Sequence, residues 1–76
     1  MDIRVLHYFL LVAREENITR AAQLLHVTQP TLSRQLMQLE EEMGVALLER
    51  KNHSVSLTYA GMLFRRRAQA MVDLAR

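Results

Sequence analysis

Gln29 and Arg34 carry the two side chains in this sequence best matched to the edges of nucleobases. Arginine can donate to O6 and N7 of guanine together, and glutamine can pair with N6 and N7 of adenine, each worth roughly 1–3 kcal/mol of discrimination. Thr28, Thr31 and Ser33 add hydroxyls suited to bases or phosphate oxygens, and a helix start favours a phosphate through its dipole. Further along, Arg50, Lys51 and His53 flank Asn52 in a polar stretch able to enter a minor groove or touch phosphates. Bond-making chemistry finds no comparable set. His7, His26 and His53 lie in separate segments, without the His-x-x-x-His or acidic spacing of a metal site. Ser33 has no histidine near it in sequence and no strained elbow, and cysteine is absent. The methionines read as packing residues. No catalytic residue, metal ligand or cofactor is assigned to this domain.

The elements that must position these side chains are legible in the apolar spacing. Residues 3–15 carry Ile3, Leu6, Leu10 and Ala13, with Val5, Phe9 and Val12 on an adjoining row, a helical stripe wider than one packing surface needs. Asp2 can cap its start. Asn17 then caps a second helix whose apolar face is Ile18, Ala21, Ala22 and Leu25. Thr28 caps a third, with Pro30 in its first turn, where a missing N–H costs nothing. Leu32, Leu36, Leu39 and Met43 form its core stripe. Pro30, Thr31 and Arg34 fall on the opposite side, Ser33 lies near the edge, and Gly44 supplies a left-handed stop. Between the second and third helices, Ala22 is small where they cross and Val27 plugs the corner. His26 takes the place of a residue needing positive φ. This is the layout of a helix-turn-helix, whose second helix enters the major groove.

Residues 45–57 change character. Leu47, Leu48, Glu49 and Arg50 precede a polar turn, Lys51 to Ser54, and Val55-Ser56-Leu57 alternates with period two. Two short strands around a polar tip make a β-hairpin, and a hairpin directly after a helix-turn-helix is a wing. The expected architecture is mainly α: a winged helix-turn-helix of three helices plus a two-stranded wing over residues 1–57. A long linker, or dimerisation, helix follows over 58–76. Ala60, Phe64, Ala68, Met71 and Ala75 recur on that last helix at four-and-three spacing, a stripe expected to bury against a partner helix. With no glycine, proline or cap to end it, the helix is expected to continue in a longer protein.

At 76 residues the chain is one small domain, with too little core to enclose a catalytic cleft as well. Only four residues are aromatic, so the core must be aliphatic. Net charge is +2, but its distribution says more. Residues 17–39 hold Arg20 and Arg34 and no acid. Residues 40–49 hold Glu40, Glu41, Glu42 and Glu49 and no base. Residues 50–76 hold six basic residues against Asp73 alone. A polyanion could approach only one side of such a surface. Taken alone, the same pattern also describes ordinary solvated helix faces, which is how Arg65-Arg66-Arg67 reads. The lack of cysteine fits a cytoplasmic protein, no apolar run approaches the ~18 residues of a membrane span, and the N-terminus has no secretory cleavage site.

These motifs in combination resemble the N-terminal DNA-binding domain of LysR-type transcriptional regulators. The resemblance rests on Tyr8-Phe9 with Val12-Ala13; Thr19-Arg20-Ala21-Ala22; and Leu25-His26-Val27-Thr28-Gln29-Pro30 leading into Leu32-Ser33-Arg34-Gln35. It continues through Leu39-Glu40 with Gly44, Glu49-Arg50, and Leu57-Thr58 with Ala60-Gly61. It implies a winged helix-turn-helix that binds double-stranded DNA as a homodimer through the linker helix, at an inverted repeat, within a full-length dimer or tetramer. An effector-binding domain with a periplasmic-binding-protein-like fold would follow and take a small molecule. The family's base-reading segment maps onto Gln29, Pro30, Thr31, Ser33 and Arg34. Its backbone contacts map onto Ile18, Thr19, Arg20 and Thr28, and its wing onto Arg50, Lys51, Asn52 and His53. Two departures stand out: Leu48 replaces a common phenylalanine, and Lys51-Asn52-His53-Ser54 replaces a wing rich in glycine and arginine. The alternative reading is a winged helix used for protein–protein assembly through the same polar face.

Overall fold

Four short polar side chains set where the helices begin. In the computed structural model, which describes residues 1–52 and 54–76, Asp2, Asn17, Thr28 and Thr58 sit at N-caps. Each side-chain oxygen accepts a backbone N–H from the first turn. They open α1 (Ile3–Glu15), α2 (Ile18–Leu25), α3 (Gln29–Met43) and α4 (Tyr59–Leu74). Three helices close on a left-handed residue: Glu16 at φ 56°, His26 at φ 59° and Gly44 at φ 72°. Histidine and glycine were expected in those roles. Glutamate is not a residue type that signals such a stop, yet the Glu16 amide donates to the Val12 carbonyl at 2.9 Å and closes α1.

Between α3 and α4 lie β1 (Leu48–Lys51) and β2 (Ser54–Leu57), antiparallel, in register from Leu48 opposite Leu57 to Lys51 opposite Ser54. Asn52 adopts φ 53°, which its side chain tolerates. The architecture is the expected one: mainly helical, with a two-stranded wing after the helix-turn-helix.

The core is built around α1, which packs against each of the other three helices. Val5, Leu6, Phe9 and Val12 of α1 cluster with Ile18, Ala21 and Ala22 of α2, with Leu32, Leu36 and Leu39 of α3, and with Phe64, Ala68 and Val72 of α4. Leu47, Leu48 and Val55 close the hairpin end. Phe9 is fully buried and meets Phe64 edge-on, with ring centroids 5.2 Å apart. Val27 packs half-buried against this cluster at the corner. Two expected core members lie outside it. Ile3 and Met43 are exposed, because each sits at the end of its helix, past the last neighbour.

The larger correction concerns α4. Phe64 and Ala68 were expected to meet a partner helix, but both are buried in the chain's own core against α1, and Ala60 is half-buried at its edge. Met71 and Ala75 remain exposed. A helical stripe specifies a buried face without naming its occupant, and α1, already wide in apolar surface, is the nearer one. The exposed face on the other side of α4 carries Tyr59, Leu63, Ala70 and Leu74 with Arg66 and Arg67 among them, Tyr59 being 76% and Leu74 86% exposed. The hairpin is tied to α4 through Thr58, whose hydroxyl donates to the Ala46 carbonyl at 2.7 Å and whose amide donates to the Leu47 carbonyl at 3.0 Å. Gly61 permits that approach: a Cβ there would run into the Leu47 carbonyl oxygen.

Candidate nucleic-acid interface

The corner between α2 and α3 is drawn tight by backbone bonds. The His26 and Val27 amides donate to Gln23 and Ala22 carbonyls at 3.2 and 3.1 Å, and Ala22 is buried beneath them. The corner places the first turn of α3 at the surface with a partly preset polar face. Thr28 accepts the Thr31 amide at 3.3 Å and donates its hydroxyl to Thr31 Oγ1 at 2.7 Å. Gln29 Nε2 donates to Ser33 Oγ at 3.3 Å, and Arg50 Nη1 reaches the same oxygen from β1 at 3.4 Å. Thr28, Gln29, Pro30 and Arg34 are exposed, while Thr31 and Ser33 are half-buried.

A groove of about 450 Å³ runs between the start of α2, the first turn of α3 and the wing, lined by Asn17, Ile18, Thr19, Gln29, Arg50, Asn52, Ser54 and Val55. The wing is held there by the Val55 amide, which donates to the Glu16 carbonyl at 3.1 Å. The three segments singled out in the sequence therefore converge, each contributing to one wall. Ile18 contributes differently from Thr19 and Arg20: its side chain is buried, so only its backbone is available to a ligand. Arg20, Thr28, Pro30, Thr31, Ser33, Arg34 and Lys51 do not line the groove, and of these Thr31 and Ser33 are half-buried while the others are exposed. His53 lies outside the described residues.

Asn17 and Ser54 line the groove without having been singled out as contacts. Asn17 carried only a capping signal, and Ser54 had none beyond its turn. Arg50 is also placed differently from a wing-tip residue, since its guanidinium lies against the reading helix at Ser33. Among the described residues, the ion pairs involve the Met1 ammonium, Arg4 and Arg14. Arg20, Arg34, Arg50 and Lys51 thus keep their charge for a ligand, and the N-termini of α2 and α3 add their dipoles at the same groove. Such a surface suits a polyanion with a periodic backbone.

Comparison with known proteins gives the arrangement a lineage. Residues 3–62 match the family described as bacterial regulatory helix-turn-helix protein, lysR family. The chain is 52% identical over 73 residues to the HTH-type transcriptional regulator BsdA of Bacillus subtilis (strain 168), covering 95% of this chain and 25% of that protein. It is 58% identical over 64 residues to the probable cat1 operon transcriptional activator of Acinetobacter lwoffii, covering 84% and 21%. The chain thus spans about a quarter of the length of such relatives. Among solved structures it resembles the CbnR DNA-binding domain in its DNA complex, with TM-score 0.95 and 44% identity over 99% of this chain and 86% of that one. The BenM domain bound to catB site 1 DNA gives TM-score 0.93 and 41% identity, over 99% and 81%. By sequence and by fold, the chain belongs to the lysR family of bacterial regulatory helix-turn-helix proteins.

Proposed function

We propose that this chain binds double-stranded DNA in a sequence-dependent manner, with α3 in the major groove and the wing beside it. The carrying observation is the groove that unites the start of α2, the first turn of α3 and β1 with Arg50, which has no ion-pair partner among the described residues. Gln29 and Arg34 read base edges, Ser33 and Thr31 contribute hydroxyls, and Pro30 offers an apolar edge to a thymine methyl. Thr28, the Ile18 backbone, Thr19 and Arg20 hold phosphates. Arg50, Lys51 and Asn52 carry the wing contacts, and His53 belongs to the same proposal by its place in the sequence.

The whole protein is read as a cytoplasmic regulator that dimerises through α4 and binds an interrupted inverted repeat, one α3 per half-site. The dimer face assigned here is the exposed face of Tyr59, Leu63, Ala70 and Leu74, which Arg66 and Arg67 share, with Met71 at its border. A following domain would take the small-molecule effector. Support comes from the likeness to domains solved on their DNA. Selection of bound duplexes from random DNA, followed by a salt titration, tests the reading. Affinity should fall steeply with salt through counterion release. Failure to retard any duplex at low salt would favour a protein–protein module.

A further inference from the structure

Residues 46–48, where the chain leaves α3 and becomes the wing, are gripped from two sides. From α4, Thr58 takes the Ala46 and Leu47 carbonyls, and Gly61 leaves room for the second of them. From α3, one carboxylate oxygen of Glu40, Oε2, accepts the Leu47 amide at 2.7 Å and the Leu48 amide at 3.1 Å. Among the described residues no other carboxylate accepts two backbone amides. Bonds of this kind, charge to N–H, are shorter and stronger than neutral ones. The Leu47 amide precedes β1 and has no ladder partner, so the carboxylate satisfies a donor that the hairpin leaves over.

Burial of the Leu47 and Leu48 side chains anchors the same root from the core side, while the carboxylate fixes its backbone amides. Beyond the buried Leu48, the side chains of β1 are exposed, and among them Arg50 must carry its guanidinium to Ser33 on α3. We propose that Glu40 is a positioning residue, its carboxylate fixing the root of β1 against the reading helix so that Arg50 and Lys51 meet the DNA in register with Gln29, Ser33 and Arg34. The proposal rests on the DNA-binding reading above. It gives one member of the acidic block a function beyond solvation.

The test uses the intact chain with Glu40→Ala and Glu40→Gln, each in the parent and in an Arg50→Ala/Lys51→Ala background. Glu40→Ala should speed amide exchange at Leu47 and Leu48 about tenfold or more while Phe9 and Leu36 keep their protection. It should also weaken duplex binding about tenfold in the parent, but less than about twofold where the wing has already lost its charge. Glu40→Gln, which retains a carbonyl acceptor, should recover most of both effects. Equal losses in the two backgrounds would mean general destabilisation and overturn the proposal, as would undiminished duplex binding by a Glu40→Ala chain. Should the parent itself bind no duplex, the DNA reading fails, while unchanged exchange at Leu47 and Leu48 would independently sink the clasp.

Discussion

Arg34 stands exposed on α3, directly after Ser33 of the Gln29–Ser33–Arg50 cluster, and has no ion-pair partner among the described residues. Because no partner holds it among the described residues, its removal should act mainly on the ligand. Arg34→Ala is expected to cost about 1–3 kcal/mol of duplex affinity and to relax selectivity at a single base pair, read by titrating duplexes that differ at one position. A loss equal across all sequences would make it a phosphate contact. Gly61 tests the fold at the same scale. Gly61→Ala drives a methyl into the Leu47 carbonyl, a backbone atom that cannot step aside, so a loss of about 1–3 kcal/mol should appear in thermal unfolding. His26 and Asn52 could be read as left-handed positions, because their residue types tolerate that geometry. Glu16 and Glu40 could not. Glu16 turns left-handed where α1 gives way to α2, and Glu40 meets amides seven and eight residues away through a loop shaped by the hairpin.

Helices announce themselves more openly than their neighbours do. The N-caps Asp2, Asn17 and Thr28 were visible in sequence because capping is a local bond between a side chain and an amide three residues on. Which stripe meets which helix is a tertiary matter, and here the spacing on α4 named a face that α1 turned out to occupy. That correction changes the variant to make. Leu63→Glu lies on the exposed face, so it should abolish dimer formation in sedimentation while leaving the unfolding midpoint of the domain nearly unchanged. Phe64→Ala should do the reverse first, costing about 3–5 kcal/mol of stability through the cavity left beside Phe9. In a domain whose total is ~5–15 kcal/mol, that is close to unfolding. If Leu63→Glu left the oligomer intact, the dimer face would lie elsewhere.

For the whole molecule, charge decides how strongly DNA is held and geometry decides where. Log affinity should fall with log salt at about 0.9 per phosphate neutralised, and Lys51→Ala should lower that slope by about one per copy if the wing touches the backbone. An unchanged slope would place Lys51 in solvent. Geometry enters through α4, which a single residue, Thr58, joins to β2, and which is seated on α1 through Phe9 and Phe64. Among the described residues, α4 is thus joined to the rest of the domain by a one-residue link and a shared buried core. The domain measures 32 Å along its longest axis. Were the domain to turn as one body about one end of that axis, a tilt of about 10° would sweep the far edge by about 6 Å, more than the ~3.4 Å between stacked base pairs. A modest rotation applied from outside would be geared up into a one-step slip along the operator, with nothing inside the domain having bent.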